Sequence, residues 1–236
     1  MIDFHSHILP YMDDGAESIE VSLAMLEESA RQGVDMVFAS SHFYADEDDP
    51  ASFLARRDYS YNLLKEAMAE RGGCYPEIQL GAEILYFPGM SVAEELVHMK
   101  MGCTPCLLVE PPMIRWTDSM LDEIEETGAN LHCVPVIAHV DRYMRVMEDS
   151  SLIERLKDRR LLIQVNSNFF IRRESVAVAM EYLHSGRIHF IGSDCHNLDS
   201  RPPNIGRAAE IIGRMGEKEA LAKLNKRLYD FICTYS

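Results

Sequence analysis

The chain has 236 residues, with 23 lysines and arginines against 38 aspartates and glutamates, giving a formal net charge of −15. A surface this acidic repels phosphate backbones, which argues against nucleic acid as the main partner. No apolar stretch approaches the ~20 residues that a membrane-spanning helix requires, so membrane insertion is not expected. The N-terminal residues lack the basic and then apolar pattern of a signal peptide, and we expect a cytoplasmic protein.

Short apolar runs alternate with longer amphipathic stretches along the chain. The runs predict buried strands at residues 2–4, 36–39, 78–80, 107–109, 134–138, 161–165 and 188–191. The stretches predict helices at residues 17–32, 51–70, 92–99, 119–127, 151–158, 174–184, 204–215 and 217–232, the first ending at Gly33. This alternation predicts an α/β protein with a parallel sheet and right-handed crossovers. Seven such units suit a closed or nearly closed barrel, and no linker divides residues 1–236, so we expect a single domain.

Metal-ligating side chains follow nearly every predicted strand. In chain order they are His5 and His7, His42, Glu83, Glu110, His139, and then Asp194 and His196, with Asn166 following the sixth strand. The carboxyl ends of parallel strands meet at one rim of a barrel, so these side chains should converge. Mixed imidazole and carboxylate ligands suit Mn, Fe or Zn better than Ca or Mg. They are too many for one ion, and the pattern predicts two or three.

Several strings of residues resemble one known family. They are residues 1–10 (MIDFHSHILP), 13–15 (DDG), 81–84 (GAEI), 108–110 (LVE), 137–143 (IAHVDRY), 164–167 (QVNS), 192–197 (GSDCHN) and 201–203 (RPP). Together they resemble the PHP-domain (polymerase and histidinol phosphatase) proteins. Within that family they are similar to the bacterial capsule and exopolysaccharide tyrosine phosphatases of the CpsB/CapC type. The resemblance spans nearly the whole chain, in order.

The resemblance implies a distorted (β/α)7 barrel with a trinuclear metal site at the carboxyl rim of the strands. On that analogy three sets of ligands are expected: His5, His7, Glu83 and Asp194 for one ion; the bridging Glu83 with Glu110 and His139 for the second; and Asp14, His42 and His196 for the third. Manganese is the preferred ion, with iron or zinc as alternatives. Arg142 and Arg201 match the phosphate-binding arginines of the family, and their planar fork of donors suits that role.

The implied activity is metal-dependent hydrolysis of phosphotyrosine. A water that bridges two cations is acidified and attacks phosphorus as a hydroxide. The expected substrate is a phosphotyrosine-bearing protein, namely a bacterial tyrosine kinase that regulates polysaccharide synthesis. Two alternatives stay open: hydrolysis of a small phosphomonoester such as histidinol phosphate, and a non-catalytic regulatory protein that retains metals. The acidic loop 46–49 departs from the family pattern, and the oligomeric state, native metal and general acid are not assigned.

A different phosphatase chemistry is suggested by one short motif. Cys195 and Arg201 have the C-x5-R spacing of cysteine-dependent tyrosine phosphatases. That chemistry requires a thiolate within a loop of backbone donors. Asp194 and Asp199 flank this cysteine, which should raise its pKa and repel phosphate, and the loop lacks glycine. The sequence therefore favours the metal-dependent mechanism.

Overall fold

The structure is a computed structural model that describes residues 1–149 and 151–235. Its strands are β1 (Ile2–Ser6), β2 (Met36–Ala39), β3 (His42–Phe43), β4 (Glu77–Leu80), β5 (Glu83–Leu85), β6 (Cys106–Glu110), β7 (Val134–Ile137), β8 (Leu162–Asn166) and β9 (Phe190–Gly192). Its α-helices are α1 (Ile19–Arg31), α2 (Pro50–Arg71), α3 (Asp118–Asn130), α4 (Val140–Val146), α5 (Leu152–Arg155), α6 (Asn168–Ile171), α7 (Val176–His184), α8 (Ile205–Arg214) and α9 (Lys218–Tyr235). Two short 3₁₀ helices, Met90–Val92 and Glu94–Met99, separate β5 from β6.

The strands form a curled parallel sheet in two hydrogen-bonded sections. The first section has the order β1-β2-β4 and the second the order β3-β5-β6-β7-β8-β9. The sections are continuous in the chain, since Ser40 and Ser41 join β2 to β3 while Gly81 and Ala82 join β4 to β5. At the other end, the amide of Asp194 donates to the carbonyl of His5 at 2.8 Å, which brings the segment after β9 against β1. The predicted α/β class with a parallel, barrel-like sheet is confirmed.

All seven predicted strands are present, and the structure adds β3 and β5. These two strands contain only two and three residues and begin at the polar His42 and Glu83, so no apolar run in the sequence predicts them. The structure also adds the short helices α4 and α6.

Two predicted helices differ from the structure. The α-helix predicted at 92–99 is wrong: Glu94–Met99 is a 3₁₀ helix, and its three-residue turn places the buried Leu96 and Met99 on one side. The helix predicted at 151–158 is only α5, because the polar residues 157–160 offer no apolar position to continue its buried face.

Two apolar clusters fill the space on either side of the sheet. The cluster enclosed by the strands, here called the inner cluster, consists of Ile2, Phe4, Met36, Phe38, Met101, Cys106, Leu108, Val136, Ala138, Phe190 and Leu228. Phe4 stacks on Phe190 with ring centroids 4.1 Å apart and tilts against Phe38 at 5.1 Å. Strand residues of the opposite parity, such as Val37 and Ile137, pack outward in the larger cluster with the helices. The inner cluster thus forms an apolar layer beneath the carboxyl rim.

The last helix, α9, packs on its own barrel. Leu228 belongs to the inner cluster, and the side-chain oxygen of Asn225 accepts a hydrogen bond of 3.0 Å from the amide of Ile2. This amphipathic helix thus packs on the sheet of its own chain. Among the described residues, none of the helices is both long enough and apolar enough to cross a bilayer.

Candidate metal centre

A bulge in β1 directs the first two histidines into the centre of the sheet. Asp3 is opposite Val37 and Ser6 is opposite Ala39, so β1 holds one extra residue relative to β2. Because of this extra residue, Phe4 joins the inner cluster while the adjacent His5 reaches the rim above it. Beyond the bulge the ordinary alternation of a strand resumes, and His5 and His7 lie on the same side, as predicted.

Glu83, the first residue of β5, is the centre of the cluster. Its Oε2 lies 3.0 Å from Nε2 of His5, 3.2 Å from Nε2 of His7 and 3.3 Å from Nδ1 of His42. Its Oε1 lies 2.8 Å from Nε2 of His139. A fully buried carboxylate surrounded by four imidazoles can bridge more than one cation, as the sequence analysis expects of this residue.

The remaining candidates extend the cluster in two directions. Oε1 of Glu110 lies 3.2 Å from Nε2 of His139, and Oδ1 of Asp14 lies 3.2 Å from Nε2 of His196. Asp194 lies between them, with Oδ1 3.7 Å from Nε2 of His7. The structure therefore brings together all nine side chains proposed as ligands: His5, His7, Asp14, His42, Glu83, Glu110, His139, Asp194 and His196.

The geometry groups these side chains somewhat differently from the family analogy. Ligand atoms within 4.8 Å of one another form three sets: His7 with Asp14, His42 and His196; His5 with His7 and Glu83; and His42 with Glu83 and Glu110. His7 thus belongs to two of these sets. His42 also belongs to two, one with Asp14 and one with Glu83 and Glu110. His7 and His42 occupy the middle of the cluster, between the sets that the resemblance assigns to separate ions.

Several polar atoms of the cluster are arranged for cations rather than for hydrogen bonds. The Nε2 atoms of His5 and His7 face each other at 3.1 Å. Nδ1 of His42 and Nε2 of His196 are buried, and neither has a hydrogen-bond partner in the described chain. Buried polar atoms are rarely left in this way. A set of imidazole nitrogens and carboxylate oxygens converging at these distances fits divalent transition metals.

The pKa values of Glu83 and Asp194 keep these two carboxylates ionised. Burial raises the pKa of Glu83, but His5 and His139 outweigh burial and hold that pKa well below its usual range. Burial likewise opposes ionisation of Asp194, yet His5 and Arg142 lower its pKa to about 2. Burial and the neighbouring His7 lower the pKa of His196 to about 3, which leaves a neutral imidazole. Ionised carboxylates and neutral imidazoles are the ligating forms of these groups.

Two of the histidines instead favour the protonated form. Burial lowers the pKa of His7, but Asp13 and Glu83 outweigh it and leave this pKa well above its ordinary value. His139 behaves similarly beside Glu110 and Glu83, with a pKa raised to about 9. Protons and metal ions compete for such nitrogens, so metal binding at this site should release protons.

Two orienting residues were missed by the sequence analysis. Asp13 has Oδ2 2.8 Å from Nδ1 of His7 and accepts a hydrogen bond of 2.9 Å from the amide of His42. The side-chain oxygen of Gln164 lies 3.2 Å from Nδ1 of His5 and accepts a hydrogen bond of 2.5 Å from the amide of His139. Partners of this kind fix the ring orientation of ligating histidines. Their signal in the sequence is that Asp13 is adjacent to the predicted ligand Asp14 in the DDG motif and that Gln164 belongs to the QVNS motif.

Both predicted phosphate-binding arginines lie at the edge of the cluster. Arg142 donates a short hydrogen bond to Asp194, and its Nη1 lies 3.8 Å from Glu110. Arg201 donates to Oδ2 of Asp14 at 2.8 Å. Each guanidinium is partly exposed and contacts a candidate ligand, Asp194 for Arg142 and Asp14 for Arg201.

Two candidate ligands have unusual backbone conformations. His139 has φ 29° and Asp194 has φ 54°, the left-handed region that residues other than glycine rarely adopt. His139 is the second residue after β7 and directly precedes α4, which carries Arg142. Strain of this kind concentrates at functional sites, where the surrounding structure enforces it.

The structure places Cys195 away from any role as a nucleophile. Its side chain is fully buried, and burial together with Asp3 raises the pKa of the thiol well above its ordinary value. Its partner in the C-x5-R motif, Arg201, is paired with Asp14 instead. The thiolate chemistry that this spacing suggests lacks its reactive form here.

The acidic loop 46–49 does not present all four of its carboxylates without partners. The carboxylate of Asp49 caps α2 by accepting a hydrogen bond of 3.0 Å from the amide of Ser52. Oδ2 of Asp48 lies 2.6 Å from Nη1 of Arg56. Asp46 and Glu47 are exposed, and Glu47 lines the opening beside His42. Two of the four acids therefore have structural partners.

The fold and the site define a class of α/β proteins that gather histidines and carboxylates at the carboxyl rim of a curled parallel sheet. Comparison with known proteins specifies the family. Residues 1–227 match the model of the capsular polysaccharide synthesis family CpsB/CapC, and the chain belongs to this family.

Curated relatives match over nearly their full length. The chain is 32% identical to the tyrosine-protein phosphatase CpsB of Streptococcus pneumoniae, covering 93% of each chain. It is 29% identical to CpsB of Streptococcus agalactiae, covering 95% of this chain and 94% of the relative. The solved structures of YwqE from Bacillus subtilis and CpsB from S. pneumoniae, described as metal-dependent tyrosine phosphatases, include a chain with a TM-score of 0.85. That match covers 100% of this chain and 96% of the other at 23% identity, which establishes the shared fold.

Proposed function

We propose that this protein is a metal-dependent protein-tyrosine phosphatase. The observation that carries the proposal is the convergence of nine histidine and carboxylate side chains on one rim, with Arg142 and Arg201 at its opening. The names of the relatives, tyrosine-protein phosphatases of the same family, agree with it. The fold we propose is the PHP-type (β/α)7 barrel, with residues 1–236 as a single domain, since one outer apolar cluster extends from Ile8 to Ile212.

We propose that the cluster holds three divalent ions, with manganese preferred. The ligands are those of the three sets above together with His139 and Asp194. When bound, such ions act as Lewis acids and lower the pKa of coordinated water toward neutrality. Asp13 and Gln164 hold the rings of His7 and His5 in the ligating orientation.

The protein's own contribution to catalysis is to bind and orient the phosphoryl group. The guanidinium groups of Arg142 and Arg201 offer planar pairs of donors that match phosphoryl oxygens and stabilise their charge during in-line attack. A phenol, with a pKa of about 10, leaves more readily than an alkyl alcohol, so this reaction needs little help from a general acid. An aryl phosphate is therefore the substrate that suits this set of groups best.

The proposed physiological substrate is a phosphotyrosine-bearing protein, specifically a bacterial tyrosine kinase that regulates capsule or exopolysaccharide synthesis. The description of the family as one of capsular polysaccharide synthesis supports this assignment. We propose a cytoplasmic location for the same reaction.

Activity should be measured on protein that has been stripped of metal and then reloaded with manganese. We expect a higher kcat/KM on a phosphotyrosine peptide than on histidinol phosphate, loss of both activities with a chelator, and bound metal by elemental analysis. A loaded protein that prefers histidinol phosphate would support the small-substrate alternative. A loaded protein that leaves p-nitrophenyl phosphate intact would support the non-catalytic one.

The arginine assignment has a matched control on the same helix. Arg142→Lys keeps the charge but removes the paired donors, and kcat/KM on p-nitrophenyl phosphate should fall about 10²-fold. Arg145→Lys changes an exposed residue of α4 and should leave kcat/KM unaltered. Equal activities of the two variants would remove Arg142 from the phosphate site.

A further inference from the structure

Large exposed apolar side chains lie on the same segments of the chain as several candidate metal ligands. Five of them lie on the segments that follow β1, β6, β7 and β9 and are here called the apolar rim: Tyr11 (62% exposed), Met113 (44%), Ile114 (64%), Val146 (54%) and Leu198 (43%). Exposed apolar residues that occur singly are ordinary, but a group around one opening marks an interaction surface.

Each segment of the rim also carries a residue of the site. Tyr11 precedes Asp14 by three residues, and Ile114 follows Glu110 by four. Leu198 lies in the short loop between His196 and Arg201. Val146 is four residues after Arg142 on α4, which places the two side chains on the same face of the helix. The apolar rim and the metal centre thus lie at the same end of the sheet, where the strands have their carboxyl ends.

The loop that carries Leu198 is held in a fixed conformation. The side-chain oxygen of Asn197 accepts hydrogen bonds from the amides of Asp199, Ser200 and Arg201 at 3.0, 2.8 and 3.1 Å. An exposed leucine on a loop with so many local bonds is presented in one orientation, which lowers the entropy lost on binding a partner.

The segment with Ile114 is held from below. Trp116 packs edge-on against the buried Tyr143 with centroids 4.6 Å apart, and its indole nitrogen donates to the carbonyl of Pro112 at 3.3 Å. Tyr143 in turn donates a short hydrogen bond to the carbonyl of Pro111. Ile114 itself stays exposed above this anchored turn.

Tyr11 is displayed at the expense of backbone strain. Its φ is 64°, a value that aromatic residues seldom adopt. Its amide donates to the carbonyl of Ala16 at 3.0 Å, and the hydroxyl of Ser60 holds the preceding Pro10 carbonyl at 2.6 Å. A strained backbone that exposes an aromatic ring beside an active site is evidence of a binding role.

The charge of the opening restricts what this surface can bind. Glu47 is exposed at the opening and the adjacent Asp46 is exposed as well, so acidic side chains next to the phosphotyrosine would be repelled. Apolar contacts with the rim carry no such penalty and become favourable when water is displaced.

We propose that the apolar rim binds large apolar side chains that flank the phosphotyrosine of a protein substrate. The inference rests on the proposed phosphatase activity and deepens it by naming the class of protein segment that the site accepts. The rim lies next to the site that receives the phosphotyrosine, which is why a substrate segment is its occupant.

Three phosphotyrosine peptides test the inference: one with leucine or phenylalanine on both sides of the phosphotyrosine, one with glycine and one with glutamate. For the manganese-loaded protein we expect kcat/KM on the apolar peptide to exceed that on the glycine peptide about tenfold, which corresponds to partial burial of one or two side chains. The glutamate peptide should be the slowest.

Substitutions in the rim should remove this preference. Two variants are tested: the double substitution Ile114→Ser with Leu198→Ser, and Tyr11→Gly, which relieves the positive φ. In each, the ratio of kcat/KM between the apolar and glycine peptides should approach one, because the KM for the apolar peptide rises. Tyr229→Ala is the matched control, because this exposed tyrosine lies on α9 one turn beyond Asn225, which binds the first residue of β1 at the opposite end of the barrel.

The outcomes separate the inference from the function on which it rests. A wild-type protein that hydrolyses all three peptides at equal kcat/KM, or a preference that survives the rim substitutions, would overturn the inference and leave the phosphatase intact. A loaded protein that hydrolyses neither peptides nor p-nitrophenyl phosphate would overturn the proposed function itself.

Discussion

Two layers of the same barrel differ in almost every physical respect. The inner cluster is apolar and contains three aromatic rings, with Phe4 in contact with both Phe38 and Phe190. The carboxyl rim directly above it is polar and charged, contains unpaired buried nitrogens, and includes residues with strained backbone at His139 and Asp194. Features that would weaken an ordinary core are concentrated in the upper layer.

The boundary between the layers runs between two adjacent residues. Phe4 belongs to the inner cluster, and His5 belongs to the metal centre. The bulge in β1 makes this possible, because it turns two successive side chains of one strand into the barrel at different heights. The lower layer provides apolar burial that stabilises the fold, so that the upper layer can hold groups arranged for chemistry instead.

The largest effect is expected at Glu83, the residue of the carboxyl rim with the most contacts to other candidate ligands. Glu83→Gln retains the shape of a side chain that contacts four imidazoles, but it removes the negative charge with which we propose that Glu83 binds cations. We expect kcat/KM on p-nitrophenyl phosphate to fall about 10⁴-fold, a loss typical of central catalytic groups. Glu77→Gln, at the exposed start of β4, is the control and should retain activity. A Glu83→Gln protein with normal metal content and activity would contradict the assignment of this rim.

The lower layer should respond in stability. Phe4→Ala removes a fully buried ring that contacts Phe38 and Phe190, and the free energy of unfolding should fall by about 3–5 kcal/mol. Urea denaturation of the metal-free protein measures this loss. Phe4→Leu, which preserves most of the volume, should lose less than about 1.5 kcal/mol. Equal stabilities for Phe4→Ala and wild type would show that the inner cluster is not the stabilising layer.

The lower layer was also the easier one to predict. Apolar runs identify all seven predicted strands because buried parallel strands consist of such residues. The short strands β3 and β5 escape this reasoning because His42 and Glu83 occupy them, and polar ligands interrupt the pattern that marks a strand. The bulge in β1 has no sequence signal either, since its residues continue an ordinary strand pattern.

At the carboxyl rim, the sequence predicted the candidate ligands but not all of the residues that contact them. The position of each candidate ligand after a strand was enough to predict convergence, because the topology of parallel strands determines it. The contact of Asp13 with His7 depends on how the loop 10–16 folds back, and the sharing of His7 and His42 between sets depends on rotamers. Such details follow from packing in three dimensions, which no local pattern encodes.

A smaller effect is expected from the residue that orients His7 without reaching the centre of the cluster. Asp13→Asn weakens the carboxylate–imidazole contact of 2.8 Å, and the affinity for manganese should fall about 10- to 100-fold. Activity should then recover as manganese is raised, a pattern that a general structural defect would not produce. Asp46→Asn, in the exposed part of the acidic loop, should leave the manganese affinity close to that of wild type. An unchanged affinity in Asp13→Asn would leave this aspartate with the role of a turn residue only.

The smallest effect is expected at Cys195, and it distinguishes the two phosphatase chemistries. In the metal-dependent mechanism this thiol is a buried packing group, so Cys195→Ala should cost about 1 kcal/mol of stability and leave kcat/KM within about threefold of wild type. The folded wild-type enzyme should also resist iodoacetamide, because burial and Asp3 keep the pKa of this thiol high and the reactive thiolate scarce. Chelation should abolish the activity of both proteins alike. A Cys195→Ala protein that folds and binds manganese but has lost all activity would move the chemistry from the carboxyl rim to the cysteine, since no packing defect accounts for such a loss.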